Sequence, residues 1–278
     1  MELDSRLRGN DKSESPDYSK YFMVNELQQV LRERNVLTHE NSGVTICRVS
    51  DQGVGLDLAE DILVKIVDKR TVLYLSGGST PKELYKNLAK EEKLMPGAVG
   101  LVDERVGARF HGNSNERMIR DTGLLRYFEM RDIPFYPILN GEMSREETAV
   151  GYDEKLRSLQ SVFFKHVGIL GIGADGHTAG LPVRSEKRKE QSKKKNRVRD
   201  MNLVEEVDYF PGSQKERVTM SFLGLSMIDV LLVLVFGEGK RGALDLVFSE
   251  GSEEDVPGRF YKRPEIANRT LLITDQQI

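Results

Sequence analysis

The chain has 278 residues and a net charge of −3, with 41 Lys or Arg against 44 Asp or Glu. Its length allows one large α/β domain or two small ones, and we expect one. Its single cysteine, Cys47, excludes an intrachain disulfide framework and a metal site built from cysteines. No stretch of the sequence approaches the roughly 20 consecutive apolar residues of a membrane-spanning helix, so we expect a soluble, cytoplasmic protein without membrane partners.

Two segments differ in composition from the rest of the chain. Residues 1–20 lack apolar periodicity and the apolar core of a secretory signal, so we expect a disordered extension before a domain that spans 21–278. Residues 184–199 hold nine Lys or Arg and two Glu, a net charge of +7. A basic segment can bind nucleic acid, but this one has no aromatic residue for base stacking. We therefore interpret it as a solvated loop, and nucleic acid is not an expected partner.

Short apolar, β-branched segments alternate with longer helical patterns through the domain. The expected strands are 44–49, 71–75, 99–102, 133–139, 167–170, 218–222, 230–236 and 270–274. Such alternation is typical of crossover units that build a mainly parallel sheet with helices on both faces. The segment 133–139 contains Pro134 and Pro137, so we expect it at an edge of the sheet.

Two helices are predicted between the first strands. Apolar residues recur with helical spacing over 56–69, which indicates an amphipathic helix packed on the sheet. A second helix is expected over 81–90, because Pro81 suits the first helical position. Ser79 or Thr80 would cap its N-terminus.

Strand 71–75 leads into the glycine-rich turn Ser76–Pro81, which opens this second helix. Free backbone N–H groups, hydroxyls and the positive end of a helix make such a turn a phosphate site. The turn lacks the Gly-Lys-Ser/Thr ending of a Walker loop, so it does not predict binding of a nucleoside triphosphate. A plain strand-to-helix turn is the alternative.

Strand 99–102 leads into the charged residues Asp103, Glu104 and Arg105. Charged side chains at the end of an apolar strand are costly to bury and need partners. They indicate either a structural ion pair or a site in which Arg105 would grip a phosphate with two hydrogen bonds.

Strand 167–170 leads into residues 171–179, Gly-Ile-Gly-Ala-Asp-Gly-His-Thr-Ala. The glycines let the backbone turn sharply at the edge of the sheet where α/β proteins bind ligands. Of the four histidines, His177 is the one with glycines and an acidic residue beside it. It is therefore the first candidate for proton transfer near neutral pH. The alternative is a tight turn with a solvated histidine.

Five motifs taken together resemble the 6-phosphogluconolactonase family, which belongs to a wider group with glucosamine-6-phosphate deaminase. They are Leu75-Ser-Gly-Gly-Ser-Thr-Pro, Val102-Asp-Glu-Arg-Val with Ser114-Asn115, the 171–179 motif, Glu216-Arg-Val-Thr and Gly237-Glu-Gly-Lys. The resemblance implies a Rossmann-like three-layer α/β sandwich without a metal or other cofactor. It also implies hydrolysis of 6-phospho-D-glucono-1,5-lactone, a small phosphosugar lactone, to 6-phosphogluconate in the pentose phosphate pathway.

The resemblance implies catalytic roles for three residues. His177 would act as general base by taking a proton from the water that attacks the lactone carbonyl. Its imidazolium form would then protonate the ring oxygen as the tetrahedral intermediate breaks down. Asp175 or Asp103 would orient the imidazole and favour its charged form.

The resemblance also implies a set of substrate-binding residues. The residues expected to face the phosphosugar or hold its phosphate are Gly77, Gly78, Ser79, Thr80, Arg105 and Lys240. Arg217 would either add positive charge to the site or pair with Glu216. Without the resemblance, Lys240 would be interpreted as a solvated lysine at the start of a helix.

Two alternatives to the lactonase remain. The deaminase branch typically continues Ile-Ala-Phe-Asn-Glu-Pro after its Asp-Gly-His, whereas this chain continues Thr178-Ala179-Gly180 and lacks the helper Glu. Lactonases usually have Ser where this chain has Gly180, followed by Leu-Phe-Pro-Gly, and the Phe is absent here. A homologue that binds phosphosugars without hydrolysing them is therefore the second alternative.

Overall fold

The structure, a computed structural model, describes residues 26–141, 143–183, 201–211 and 214–278. The extension predicted over residues 1–20 and the basic segment 184–199 lie outside the described residues. Within the described ranges, no helix is both long and apolar enough to cross a membrane.

An eight-stranded sheet forms the centre of the fold. In spatial order its strands are β1 (Thr38–Asn41), β2 (Val44–Arg48), β11 (Thr270–Thr274), β10 (Val230–Val235), β7 (Lys165–Gly171), β3 (Thr71–Leu75), β4 (Ala98–Leu101) and β6 (Phe135–Tyr136). Each neighbouring pair is parallel except β1 with β2. This arrangement confirms the predicted α/β class with a mainly parallel sheet.

The central strands are mostly apolar because helices cover both faces of the sheet. Every residue of β3 and β10 is buried. The strand predicted over 133–139 shortens to the two residues of β6 at the edge of the sheet, where its flanking prolines cost no ladder hydrogen bonds.

Nine α-helices and two 3₁₀-helices are present in the described part of the chain. The α-helices are α1 (26–33), α2 (Gln52–Ile66), α3 (Ser79–Glu91), α4 (Asn115–Asp121), α5 (Leu124–Met130), α6 (Arg145–Val162), α7 (Phe222–Ser226), α8 (Arg241–Phe248) and α9 (Pro264–Ala267). The 3₁₀-helices are Glu238–Lys240 and Pro257–Lys262.

The start of α3 corrects one expectation. Neither Ser79 nor Thr80 caps this helix, because both lie inside it and the N-cap position is Gly78. Gly78 has φ +114°, a backbone conformation that side-chain-bearing residues rarely adopt. No side chain of the described residues caps α3, so the N–H groups of its first turn remain available to another acceptor.

A second, antiparallel sheet lies beyond the end of β4. Its strands, in spatial order, are β5 (Asp103–Arg105), β9 (Arg217–Met220) and β8 (Val204–Val207). The segment predicted as strand 218–222 therefore does form a strand, but it belongs to this small sheet, and α7 begins at Phe222. The sequence does not predict β5, because three charged or polar residues show no apolar alternation.

The buried carboxylate of Glu104 fixes β5 against the start of α4. Its two oxygens accept four hydrogen bonds, from the backbone N–H groups of Arg105 and Asn115 at 2.7 Å and from the Ser114 hydroxyl and the Glu116 N–H at 2.9 Å. A carboxylate suits this position because it accepts at both oxygens and lies at the positive end of a helix. Glu104 is thus structural, and it positions its neighbours Asp103 and Arg105.

We predict that Glu104→Gln lowers the free energy of unfolding by about 1–3 kcal/mol, because the amide nitrogen would face two donors and leave them unpaired. Glu83→Gln is the control, since Glu83 forms an exposed pair with Lys86 and such pairs contribute less than about 0.5 kcal/mol. Urea unfolding followed by circular dichroism measures both variants. Equal stability of the two would contradict the structural role of Glu104.

Candidate functional site

A cleft of about 280 Å³ opens at the carboxyl ends of the central parallel strands. Turns that follow β3, β7 and β10, together with β5, form its walls. Eight of the ten site residues expected from the sequence line it, namely Gly77, Gly78, Ser79, Thr80, Asp103, Arg105, His177 and Lys240. The other two, Asp175 and Arg217, lie behind these residues. Ligands bind at this edge of open α/β sheets because strand ends deliver polar loops there.

The imidazole of His177 is held by Asp175. Nδ1 of the ring lies 2.5 Å from Oδ1 of Asp175, and the same oxygen accepts the backbone N–H of His177 at 3.1 Å. The hydrogen bond to His177 lowers the pKa of the Asp175 carboxyl, which is therefore ionised and acts as the acceptor. A proton on Nδ1 leaves Nε2 as the ring nitrogen that can take up a proton.

Two glycines of the 171–179 motif are required by the position of this ring. A Cβ atom on Gly173 would lie 2.0 Å from ring atoms of His177, so the imidazole packs directly on the glycine backbone. Gly176 has φ +86° and carries the chain through the tight turn between Asp175 and His177. The motif thus holds one partly exposed imidazole against its own glycine backbone.

Residues of the 3₁₀-helix Pro257–Lys262 contact the turn that carries His177. The Thr178 hydroxyl lies 3.1 Å from the carbonyl oxygen of Gly171 and 2.5 Å from the hydroxyl of Tyr261, which is fully buried. The N–H of Gly258 donates to the carbonyl of Gly176 at 2.8 Å. The 3₁₀-helix Pro257–Lys262 therefore supports the loop that carries His177. Sequence reasoning missed Tyr261, because nothing in its local pattern distinguishes it from a core aromatic residue.

Phe210 and Arg217 extend the site on the far side of His177. The ring of Phe210 meets the imidazole edge to face, with centroids 4.9 Å apart. The guanidinium of Arg217 lies 4.6 Å from the centroid of the same phenyl ring. Sequence reasoning also missed Phe210, since it lies in a segment with no recognisable motif.

Two arginines face each other where β5 pairs with β9. Arg105 is directly opposite Arg217 in the ladder, and like charges in that position repel each other. Burial lowers the pKa of Arg217 to about 10, and the charge of Arg105 acts in the same direction. The backbone carbonyl of Glu216, and not its carboxylate, lies near Arg217, while the carboxylate pairs with Arg145. The expected pairing of Arg217 with the Glu216 carboxylate is therefore replaced by a pair between that carboxylate and Arg145.

Asp103 lies between these cations and His177 and is 6% exposed. Burial raises the pKa of its carboxyl, while the charges of Arg105, Arg217 and His177 oppose that shift. Of the two acids that the sequence offers for orienting His177, Asp175 is the one that makes a hydrogen bond with the imidazole.

Lys240 completes the positive lining. Its ammonium donates a 2.6 Å hydrogen bond to the carbonyl of Ile172. Burial lowers the pKa of the amine, and the charge of Asp175 opposes that shift. The lysine is thus half-buried on the cleft wall and is not the solvated residue of the alternative interpretation.

Asn115 joins two walls of the cleft. Its amide NH₂ donates to the carbonyl of Asp103 at 2.9 Å, and a Cβ atom on Gly77 would lie 1.9 Å from its amide oxygen. Position 77 therefore requires glycine, because the side chain of Asn115 occupies the space that a Cβ atom would take. Asn115 belongs to one of the motifs identified in the sequence, but the sequence does not predict its contact with Gly77.

The chemistry available in the cleft follows from these contacts. An oriented imidazole with a free Nε2 can move a proton, and three cations with the uncapped start of α3 can hold a phosphate. In the described part of the chain, no group of three or more His, Cys, Asp or Glu side chains could hold a metal ion.

Comparisons with known proteins show which family the chain belongs to. The family model described as "Glucosamine-6-phosphate isomerases/6-phosphogluconolactonase" matches residues 53–271. A 6-phosphogluconolactonase from Rhizobium meliloti is 30% identical over 190 residues, which cover 67% of this chain and 77% of the relative. The human 6-phosphogluconolactonase is 28% identical over 201 residues, covering 68% and 72% of the two chains.

Solved structures share the fold. The 6-phosphogluconolactonase from Plasmodium vivax superposes with a TM-score of 0.67 and 18% identity, covering 92% of this chain and 96% of the other. For the enzyme from Trypanosoma cruzi the TM-score is 0.64 at 20% identity, with coverage of 85% and 96%. Since the family model matches well over half of the sequence, the chain belongs to the family of glucosamine-6-phosphate isomerases and 6-phosphogluconolactonases.

Proposed function

We propose that the protein is a hydrolase that converts 6-phospho-D-glucono-1,5-lactone to 6-phospho-D-gluconate, a step of the pentose phosphate pathway. The observation that carries the proposal is the imidazole of His177, held by Asp175 in a cleft whose other walls are cationic. The relatives reported above bear the name of this activity. A cytoplasmic location goes with the proposal, because phosphorylated sugars are retained inside cells.

His177 acts as general base and then as general acid. Nε2 takes a proton from water as the water oxygen forms a bond to the lactone carbonyl carbon, which gives a tetrahedral intermediate. The bond between this carbon and the ring oxygen then breaks, and the imidazolium returns its proton to the departing oxygen. Asp175 keeps Nδ1 protonated throughout and stabilises the imidazolium. Because the two steps use one proton, the imidazole is regenerated.

Asp103 contributes through its charge. It is buried beside Arg105, Arg217 and His177, so it balances the cations of the cleft when no phosphate is bound and favours the imidazolium as it forms. We therefore keep Asp103 in the proposed catalytic set with a role separate from that of Asp175.

The phosphate group of the substrate is held at the start of α3. Backbone N–H groups and hydroxyls in the loop Gly77–Thr80 supply neutral donors, and the helix dipole favours an anion there. Arg105, Lys240 and Arg217 supply the positive charge. The Nε atom of Arg105 is buried and has no hydrogen-bond partner among the described residues, so it remains available to the ligand.

Two observations favour the lactonase over the deaminase. The helper Glu of the deaminase motif is absent. Thr178, which follows His177, is buried, and its hydroxyl forms hydrogen bonds with the carbonyl of Gly171 and the hydroxyl of Tyr261. A Cβ atom on Gly180 would lie 2.8 Å from Cβ of Thr219 and 3.3 Å from that of Asp103, so a serine at this position would crowd both residues. The hydrogen bond between His177 and Asp175 is present beside this departure from the lactonase pattern.

We predict that the purified protein forms 6-phosphogluconate from fresh lactone faster than the spontaneous reaction does. Coupling to 6-phosphogluconate dehydrogenase measures the product, and ammonia release from glucosamine 6-phosphate is measured in parallel. No acceleration together with thermal stabilisation by 6-phosphogluconate would favour the binding protein without activity. Release of ammonia would favour the deaminase.

We predict that His177→Ala lowers kcat by about 100-fold or more, the range typical for loss of a general base, and leaves 6-phosphogluconate binding largely intact. The matched control is His39→Ala, because His39 lies exposed in the edge strand β1. Steady-state kinetics and calorimetric titration separate the two effects. Full turnover by His177→Ala would exclude its role as base.

We predict that Arg105→Ala weakens binding of 6-phosphogluconate by about 2–5 kcal/mol, the usual effect of removing one partner of a desolvated charge pair. Arg117→Ala serves as control, since Arg117 is exposed on α4 at 3.9 Å from Asp121. Calorimetric titration gives both dissociation constants. Unchanged binding would assign Arg105 to the structure of the loop alone.

A further inference from the structure

Phe210 is a buried aromatic residue whose position the apolar core does not explain. It lies shortly after β8 and is 7% exposed. Among the described residues, it is not a member of the contiguous apolar core. Its ring instead contacts two polar side chains, the imidazole of His177 and the guanidinium of Arg217. A large apolar side chain that packs on these two residues indicates a role in the site.

The imidazole of His177 needs more than its hydrogen bond to Asp175 to keep one orientation. The torsion that turns a histidine ring about its Cβ–Cγ bond is broad, and this side chain is 29% exposed, so the core does not enclose it. The hydrogen bond fixes Nδ1, but a tilt of the ring about that atom would still move Nε2. Proton transfer requires Nε2 within hydrogen-bond distance of the attacking water, so this tilt must be limited.

Phe210 supplies a contact that limits the tilt. Its ring stands at 87° to the imidazole of His177 with the centroids 4.9 Å apart, the edge-to-face arrangement that aromatic rings prefer. Gly173 supplies another contact, since a Cβ atom there would lie 2.0 Å from both Cε1 and Nδ1 of the imidazole. The imidazole is therefore held by a carboxylate, a glycine backbone and a phenyl ring.

Arg217 in turn holds the ring of Phe210. Its guanidinium carbon lies over the phenyl ring, 4.6 Å from the centroid, which is the geometry of a cation–π interaction. The backbone of Arg217 is fixed in β9, where it pairs with Arg105 of β5 and with Val207 of β8. The small sheet thus reaches, through Phe210, the histidine that the large sheet carries.

We infer that Phe210 is a positioning residue, whose ring holds the imidazole of His177 at the angle at which Nε2 takes a proton from water. The inference rests on the proposed function, because the attack of water on the lactone defines that angle. Phe210 acts through His177 and does not itself contact the reacting atoms.

Phe210→Leu is the test, because it removes the ring and keeps an apolar side chain. The kcat for the lactone falls about tenfold, the factor that corresponds to one aromatic pair. The Kd for 6-phosphogluconate rises by no more than about threefold, the factor for one cation–π contact. Binding is largely kept because Arg105 and Lys240 have hydrogen bonds of their own, to the carbonyls of Asn113 and Ile172.

Phe210→Tyr and Phe163→Leu are the matched controls. Phe210→Tyr keeps the ring and therefore keeps kcat near the wild-type value. Phe163 is 6% exposed and lies just before the amino end of β7, away from the cleft. Phe163→Leu therefore lowers the melting temperature and leaves kcat unchanged. If Phe210→Leu does not fold, Phe210→Met takes its place with the same expected results.

The order of the His177 ring is a second readout, and it does not depend on activity. Carbon-13 relaxation of the ring C–H groups in histidine-labelled protein measures an order parameter for each of the four histidines. The spectrum of His177→Ala identifies the signals of His177. Their order parameter falls in Phe210→Leu and stays at the wild-type value in Phe210→Tyr and Phe163→Leu.

Each other outcome has a definite meaning. Unchanged kcat in Phe210→Leu overturns the inference, as does a lowered kcat with an equally ordered His177 ring. An equal loss of kcat in Phe163→Leu also overturns it, and so does a rise in KM and Kd at unchanged kcat, because Phe210 would then act on ligand binding. If the wild-type protein fails to hydrolyse the lactone, the proposed function fails, and the order parameters still decide whether Phe210 holds the imidazole.

Discussion

Parallel pairing of β3 with β7 and of β7 with β10 is the constraint on which the site depends. In-register parallel strands end at one edge of the sheet, so the turns that follow them meet there whatever their separation in the sequence. The turn after β3 supplies the uncapped helix start, the turn after β7 supplies His177, and the turn after β10 supplies Lys240. The buried apolar faces of these strands therefore fix the positions of the polar groups.

The small antiparallel sheet adds two arginines and an acid to the site. It places Arg105 opposite Arg217, and Asp103 lies in the same strand as Arg105. The carboxylate of Glu104 accepts the backbone N–H groups of Asn115 and Glu116 and so fixes this strand to the start of α4. One acid beside two arginines, of which Arg217 is buried and Arg105 partly exposed, leaves a positive site that an incoming anion can neutralise. Repulsion within the free protein and attraction for a phosphorylated ligand thus have the same origin.

Local patterns predict most of the large sheet and the residues of its three turns, because glycines, charges and apolar strands each leave a short-range signal. The pairing of β5 with β9 has no such signal, since it joins segments more than a hundred residues apart and every residue of β5 is charged. Phe210 and Tyr261 are missed for the same reason, as their roles arise from contacts with distant residues. The expected cap of α3 by Ser79 or Thr80 is wrong because Gly78 lets the chain enter the helix at Ser79, two residues before the expected start at Pro81.

The missing cap of α3 has a consequence for how the protein responds to its ligand. Most helices close their first turn with a serine or aspartate oxygen from their own chain, whereas α3 begins at Gly78 with no such oxygen in the described residues. Under the proposed function, the phosphate oxygens of the substrate take that place. The ligand then becomes a structural element of the helix, because its oxygens accept the N–H groups that no side chain of the described residues accepts.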